Sequence, residues 1–307
     1  MDVGASRARR VGLAHSLLGA LCSAIYLFPY KRAGALSSPD VLAYALLIVA
    51  ALSNGALYLY PRYVGQRGSR PSQTPDRRAF WTASALLSLL TISGNFCGAQ
   101  AVTRLEPAVT SVLLRTEIVF VGVFAALLVR ERLTLPLGAG ALVALGGLLV
   151  MRWPLAFDGA GAGALWALGA AASFGMMQVL TRRVIGRISP IAVNACRLWI
   201  AVGLLTLVPG LASAALDEGL EFWRFVALAG LFGPFLGRLF IMYSLRVLRA
   251  AHSALLLLLA PVLAFAIGFV LQGSVPTGLE VAGGLIILAG VALPSLAGLR
   301  AERRASK

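Results

Sequence analysis

Apolar stretches of about 20 residues recur along almost all of this 307-residue chain, and they constrain its fold more than any other feature. The chain is 59% hydrophobic and 13% charged, whereas a soluble domain carries about 25% charged residues. In hydrocarbon a backbone must satisfy its own hydrogen bonds, which favours helices. The stretches lack the polar–apolar alternation of a β-barrel. The sequence therefore predicts an all-α membrane protein.

The order of the apolar stretches predicts ten transmembrane helices. The predicted spans are 11–30, 40–60, 80–101, 107–129, 134–151, 160–181, 190–209, 222–243, 250–271 and 277–298. With both termini cytoplasmic, 19 of the 27 Lys and Arg residues lie on the inner side, five lie on the outer side, and three lie within spans. This bias follows the positive-inside rule. The net charge of +15 is therefore assigned to topology, and nucleic-acid binding is not expected.

The two halves of the chain resemble each other at an offset of 143 residues. Gly140 matches Gly283, and Gly147 matches Gly290. Because each half holds five spans, an odd number, the second half must enter the membrane in the opposite orientation. Such inverted repeats are typical of secondary transporters, which bind substrate near the bilayer midplane. We predict two inverted five-helix repeats. The predicted segments are a cytoplasmic tail at 1–10, the repeats at 11–152 and 160–298, and a second cytoplasmic tail at 299–307.

The sequences that carry this repeat also carry a family resemblance. The run LEPAVTSVLLRTEIVFVGVFAALLVRERLTLPLGAGALVALGGLLV (105–150), with its E-R-L-T motif, resembles the EamA-type repeat of the drug/metabolite transporter superfamily. The second copy (250–293) keeps the A-P-V motif at Ala260–Val262. It departs at Ser274, where the family usually has the glutamate that the first copy keeps as Glu131. The resemblance implies a ten-helix carrier of small metabolites with both termini cytoplasmic.

Arg115 and Glu117 lie near the centre of the predicted span 107–129. A charge at that depth costs roughly 2.5–3.5 kcal/mol on insertion scales, so each should face protein or a water-filled cavity. In a continuous helix, positions two apart point about 200° apart. We therefore expect the two side chains to face opposite ways, each toward its own partner. Glu117 is the one acid deep in a span, so the three intramembrane arginines (Arg115, Arg197 and Arg238) leave a positive excess.

Two interpretations of this pair stay open at the level of sequence. One is a polar packing network at a helix interface, and the other is a substrate or proton site. At offset 143, Arg115 aligns with Leu258 and Glu117 with Ala260, so the repeat copied its frame without these polar groups. That asymmetry favours function. We expect Arg115 to reach substrate and Glu117 to link to a neighbouring helix or carry a proton, although the reverse assignment is open.

Further candidates for substrate binding are Asn95, Gln100, Asn194 and Arg238. Amides in spans also serve as interhelical hydrogen-bonding groups. Arg197 and Arg238 lie close enough to predicted span ends to act as interfacial or interhelical anchors. Pro234 and Pro261 predict interruptions in spans 8 and 9, because proline removes a backbone hydrogen bond.

The leading hypothesis is a secondary transporter that exports a small organic metabolite carrying a carboxylate, such as an amino acid or organic acid. Export rests on analogy with the family. A proton-coupled efflux carrier for cationic or lipophilic compounds is the alternative, and a non-transporting membrane scaffold is a third possibility. No clustered nucleophile–base pair or metal-ligand set indicates an enzyme, a cofactor or a metal site. The expected partners are the substrate and the lipid bilayer, with the chain a monomer or homodimer in a bacterial cytoplasmic membrane.

Overall fold

The computed structural model describes residues 3–63, 77–105, 107–130, 134–155, 161–272 and 277–305, and within these ranges it contains helices and loops but no strand. Glu131, Ser274 and most of the basic loop at 62–78 lie outside the described residues. The helices of the first half are α1 (Val3–Gly34), α2 (Pro39–Tyr63), α3 (Arg77–Arg104), α4 (Pro107–Arg115), α5 (Glu117–Phe124) with a π-helical turn at Ala125–Val129, and α6 (Leu135–Met151).

The second half repeats this succession of apolar helices. Its helices are α7 (Gly161–Val184), α8 (Pro190–Thr206), α9 (Leu211–Leu216), α10 (Leu220–Gly230), a π-helical turn at Leu231–Gly237, α11 (Arg238–Ser244), α12 (Ala250–Leu257), α13 (Ala260–Gln272) and α14 (Gly278–Ala305). The short helix α9 was not predicted. Helix α1 begins and α14 ends well beyond the predicted limits at residues 11 and 298.

Seven helices of the described part of the chain are long and apolar enough to cross a membrane. They are Arg7–Gly34, Pro39–Tyr60, Arg77–Arg104, Val112–Val129, Gly161–Val184, Leu220–Ser244 and Ala250–Val270. Three shorter apolar helices, Leu135–Met151, Pro190–Thr206 and Gly278–Pro294, coincide with the remaining predicted spans. The prediction of an all-helical membrane protein is confirmed over the described residues.

Four glycines allow α6 and α14 to pack with their backbones in close contact. A Cβ atom on Gly140 would lie 2.5 Å from the carbonyl oxygen of Gly290, and one on Gly147 would lie 2.8 Å from that of Gly283. Seven residues are about two helical turns, so each helix presents its two glycines on one face. The contacts run antiparallel, since the earlier glycine of α6 meets the later glycine of α14. At the offset of 143, Gly140 is equivalent to Gly283 and Gly147 is equivalent to Gly290. The two helices that cross here are therefore equivalent helices of the two halves.

Both halves contain a helix that is interrupted at the same point of the repeat. In the first half α4 ends at Arg115, and the amide of Thr116 donates to the carbonyl of Leu113 over 3.1 Å. In the second half α12 ends at Leu257, and the amide of Leu259 donates to the carbonyl of Leu256, also over 3.1 Å. Positions 116 and 259 are equivalent at offset 143. The tightened turn is therefore a feature of the repeat.

Proline explains the interruptions predicted in the second half. Pro261 occupies the first turn of α13, where its missing amide does not cost a helical hydrogen bond. Pro234 lies inside the π-helical turn Leu231–Gly237 between α10 and α11. A π-helical turn accommodates one extra residue per turn and often marks a functional site. The irregular backbone at both places lies next to the cavity described below.

Candidate functional site

A cavity of about 1200 Å³ lies between the two halves of the helical bundle. Its walls come from α1, α3, the α4–α5 break, the π-helical turn before α11, and α13. The cavity reaches the surface where its lining residues Lys31, Arg32 and Thr103 are exposed. We call this end of the bundle, which also carries Arg152, the basic end.

Arg115 and Glu117 both line this cavity and are both half-buried. The prediction that they point to opposite faces is wrong, because it assumed a continuous helix. Helix α4 ends at Arg115 and α5 begins at Glu117, so Thr116 forms a turn between them. The hydroxyl of Thr116 also donates to the carbonyl of Leu113 over 2.6 Å, which holds this turn. The interruption places a cation and an anion on the same wall.

Glu117 is fixed by a neighbouring helix and faces two arginines. The side-chain amide of Gln178 on α7 donates to its carboxylate over 2.5 Å. Its charged neighbours are Arg238 and Arg115. Glu117 is thus at once a cavity residue and a link between α5 and α7.

Arg238 lies on the opposite wall, at the start of α11. Its guanidinium carbon lies 5.3 Å from the centroid of the Phe174 ring, within the range of a cation–π contact. The ring can approach because residue 94 is glycine: a Cβ there would lie 2.6 Å from Phe174. None of the described residues accepts a hydrogen bond from the guanidinium of Arg115 or Arg238. Both groups therefore keep their donors for a ligand or water.

Arg197 forms a polar network beneath the cavity and is only 1% exposed. It donates through Nε to the side-chain oxygen of Asn194 over 2.9 Å and through Nη1 to the hydroxyl of Thr91. A longer contact of 3.4 Å joins Nη2 to the carbonyl of Pro234 in the π-helical turn. These bonds tie α8 to α3 and to the interrupted span between α10 and α11. Arg197 is an interhelical anchor at the cavity floor, and it does not reach the membrane interface.

The remaining predicted residues differ in their distance from the cavity. Asn95 lines it and donates to the carbonyl of Thr91 over 2.8 Å. Asn194 lies behind Arg197, fully buried, and donates to Asn54 over 2.8 Å. Gln100 lies outside the cavity lining. There it donates to the carboxylate of Asp40 over 3.0 Å and accepts hydrogen bonds from Arg104.

Sequence reasoning missed two sets of lining residues. Tyr26 and Tyr30 of α1 stack with ring centroids 4.7 Å apart, and Tyr26 packs against Gly233 in the π-helical turn. Their spacing of four residues places them on one helix face, a signal that could have marked them. Arg152, one of the five basic residues that the sequence places on the outer side, also lines the cavity, immediately after α6.

The end of the bundle opposite the basic end is closed by polar packing. Ser16 of α1 lies 2.5 Å from the hydroxyl of Ser244 and 3.1 Å from that of Ser253, and all three side chains are fully buried. Arg182 donates to the carbonyl of Leu245 over 2.8 Å beside them. These contacts join α1 of the first half to α11 and α12 of the second.

The described cavity lining is strongly cationic. It contains six basic side chains and a single acidic one. The basic residues are Lys31, Arg32, Arg115, Arg152, Arg197 and Arg238, and the acidic residue is Glu117. A polar solute that crosses a membrane must be shielded from hydrocarbon, which helices of membrane length around a charged cavity provide. The protein is therefore an integral membrane protein of the transporter class.

Comparison with known sequences gives the family. The profile of the EamA-like transporter family matches residues 10–153 and again residues 161–296. The chain belongs to this family, and the resemblance noted in the sequence is confirmed. The two matches are successive copies of one unit, so the two-repeat organisation is shown as well.

Two individual proteins illustrate the relationship. Over 197 residues the chain is 29% identical to a protein of Streptantibioticus cattleyicolor described as "Probable terminal-alkyne amino-acid exporter". That match covers 64% of this chain and 66% of the relative, just under two thirds of its length. A solved crystal structure superposes with a TM-score of 0.69 at 22% identity, over 95% of this chain and 99% of that protein. The second likeness supports the fold alone.

Proposed function

We propose that this protein is a secondary exporter of a small organic metabolite that carries a carboxylate, either an amino acid or an organic acid. The observation that carries the proposal is the cavity, in which Arg115 and Arg238 face one ligand space with unused hydrogen-bond donors. A hydrogen bond to a charged group contributes roughly 1.5–3 kcal/mol. Two such contacts would select a carboxylate against a neutral solute of equal size. The amino-acid exporter among the relatives supports the same substrate class.

The transport cycle that we propose is alternating access by two inverted five-helix repeats, with ten helices crossing a bacterial cytoplasmic membrane and both termini in the cytoplasm. The antiparallel crossing of α6 and α14 through equivalent glycines supports the inversion. Under this topology the basic end faces outward, and the serine contacts of Ser16, Ser244 and Ser253 close the cytoplasmic side. The structure then corresponds to an outward-open state. Export requires a second state in which the serine contacts separate.

Counterflow in proteoliposomes tests the substrate class. Vesicles loaded with an unlabelled compound are diluted into a trace of the same labelled compound, and exchange is followed over a panel of amino acids, organic acids and organic cations. We expect exchange with compounds that carry a carboxylate and none with their amide or ester analogues. Exchange confined to cations would overturn the proposal.

That cation outcome corresponds to a second candidate, a proton-coupled efflux carrier. Glu117 favours it, since this acid lies in the cavity together with the rings of Tyr26 and Phe174. Aromatic faces attract cations when they are desolvated. The six other charged residues of the lining are all basic and disfavour a cationic substrate, so we rank this candidate second.

We further propose that Glu117 carries the coupling proton. In E117Q the side chain keeps its size and can still contact Gln178 but cannot ionise. If Glu117 carries the proton, this variant retains counterflow exchange and loses accumulation driven by an imposed pH gradient. Equal loss of both activities would assign Glu117 to substrate binding, and wild-type behaviour in both would remove it from the mechanism.

A further inference from the structure

The outer part of the cavity contains three basic side chains, and among the described acids Glu280 lies near enough to Arg152 to interact with it electrostatically, without forming an ion pair. Lys31 and Arg32 end α1 at the rim, and Arg152 follows α6 on the wall. The Nε atom of Arg152 is buried and has no hydrogen-bond partner. A buried donor without a partner is costly, so it marks a place where a ligand or water completes the contact.

Three acids of the described basic end accept hydrogen bonds from neutral donors. Glu280 belongs to a capping box at the start of α14, where its carboxylate accepts from the backbone amide of Thr277 over 2.7 Å. The carboxylate of Glu218 accepts from Ser37 over 2.5 Å, and that of Asp40 accepts from Gln100. Each of these three carboxylates thus accepts a hydrogen bond from a neutral group, and none of them forms an ion pair with Arg152.

The Arg152 side chain is held in place by an aromatic ring. Its guanidinium carbon lies 5.0 Å from the centroid of Phe265, which is itself a cavity residue on α13. The contact fixes the plane of the guanidinium against an apolar face. A planar guanidinium in this setting suits a carboxylate better than a diffuse positive surface does.

Arg152 lies at another depth of the cavity than Arg115. Arg115 and Glu117 share a small recess with Leu257 and Leu258 at the end of α12, whereas Arg152 lies beside Phe265. Eight residues separate Leu257 from Phe265, which is about 12 Å along a helix axis. The cavity of about 1200 Å³ exceeds the range of roughly 300–1,000 Å³ that holds one drug-sized ligand. It has room for two small carboxylates at successive depths.

We propose that Arg152, held on the face of Phe265 and flanked at the rim by Lys31 and Arg32, forms an outer binding subsite for a carboxylate, separate from the deeper site at Arg115 and Arg238. This inference rests on the proposed function for its role: the subsite receives the carboxylate of a substrate that leaves the deep site toward the basic end. It lowers the barrier to release, because the anion passes from one cation to the next.

Calorimetric titration of the purified protein in lipid nanodiscs with benzoate tests the subsite. We expect R115L to retain benzoate binding at the outer subsite. In the R115L background, R152Q should weaken the remaining binding at least tenfold. R152K keeps the charge but loses the planar contact with Phe265, so it should give an intermediate loss.

The matched control is R104Q in the same background. Arg104 is a basic residue of the same end that lies outside the cavity lining and is bonded to Gln100. R104Q removes the same charge as R152Q does, but from outside the cavity lining. Benzoate binding should therefore change little in this variant. Equal weakening by R104Q and R152Q, or no benzoate binding by R115L alone, would overturn the subsite. Counterflow that excludes every carboxylate while R152Q still removes benzoate binding would overturn the proposed function and leave the subsite standing.

Discussion

The two interrupted helices, residues 107–129 and 250–272, share a backbone but not a chemistry. In both, the next helix begins at an equivalent residue, Glu117 or Ala260, and the same amide-to-carbonyl bond of 3.1 Å closes the turn. In the first copy the interruption carries Arg115, Thr116 and Glu117. In the second copy the equivalent residues are Leu258, Leu259 and Ala260. Duplication therefore preserved the turn, and charge is present at only one of its two copies.

This difference separates what the frame needs from what the site needs. The second copy shows that an interrupted helix of this shape folds with apolar residues at the turn, so Arg115 and Glu117 are not required to form it. Burying a charge is costly, and a costly feature without a structural task is best explained by function. The pair should therefore affect transport more than folding, whereas residues shared by both copies should affect folding alike.

The most direct test of this difference replaces each charged residue by its counterpart in the second copy, and it has the largest expected effect. We expect R115L to reduce counterflow of the substrate at least 100-fold, and E117A to abolish accumulation driven by a pH gradient. Loss of two charge-assisted hydrogen bonds of roughly 1.5–3 kcal/mol each is enough for such a loss in affinity. Thermal unfolding of R115L should stay at or above the wild-type temperature, because the charge that has been removed had no hydrogen-bond partner among the described residues.

Leu258→Met is the matched control, since it changes the counterpart position at nearly constant volume. Counterflow should remain within a few-fold of wild type in this variant. If R115L also retained wild-type transport, Arg115 would be a packing residue and the functional interpretation of the asymmetry would be wrong.

The sequence predicted the helices well because each span is recognisable from the length of its apolar stretch. Pro261 and Pro234 likewise signalled their interruptions, as proline has a direct effect on backbone hydrogen bonding. The turn at Thr116 carries no such signal. Threonine is common within helices, and the second copy has a leucine at the same place. The error in the directions of Arg115 and Glu117 followed from that one missing turn.

The rest of the site depended on contacts that a linear pattern does not contain. Counting residues from a span end left Arg197 as an interfacial or an interhelical anchor, and the structure shows the bonds that join it to two other segments, at Thr91 of α3 and Pro234 of the π-helical turn. For Arg152 the sequence indicated only a position on the outer side, because no linear pattern signals a contact with Phe265, 113 positions away. The offset of 143 showed which glycines are equivalent. It did not show that equivalent helices touch each other.

The glycines of the α6–α14 crossing test the symmetric side of the comparison. Gly147 and Gly290 are equivalent, and a Cβ on either would lie within 2.8 Å of backbone atoms of the other helix. We expect G147A and G290A to destabilise the protein by similar amounts, of about 1–3 kcal/mol, because each overpacks the crossing. Thermal unfolding in detergent measures both.

Gly146→Ala is the control for this pair. Residue 146 is next to Gly147, but a Cβ there would meet nothing within 4 Å. The unfolding temperature of G146A should equal or slightly exceed that of wild type, since alanine favours the helix. A large drop in the unfolding temperature of only one of G147A and G290A would mean that the two copies do not contribute equally to the packing at their crossing.

The smallest expected effect concerns the turn itself. Thr116→Val removes the hydroxyl bond to the carbonyl of Leu113 but keeps the backbone bond, as the counterpart turn at Leu259 does without any hydroxyl. We expect a loss of about 0.5–1.5 kcal/mol in stability and a fall in transport of less than about tenfold, the factor that 1.4 kcal/mol represents. T116S, which retains the hydroxyl, should recover both quantities. Thr116 does not line the cavity, so it cannot contact the substrate directly. A loss of transport in T116V as large as that in R115L would therefore show that the hydroxyl orients Arg115 and Glu117 toward the substrate. The two copies of the turn would then differ in geometry as well as in charge.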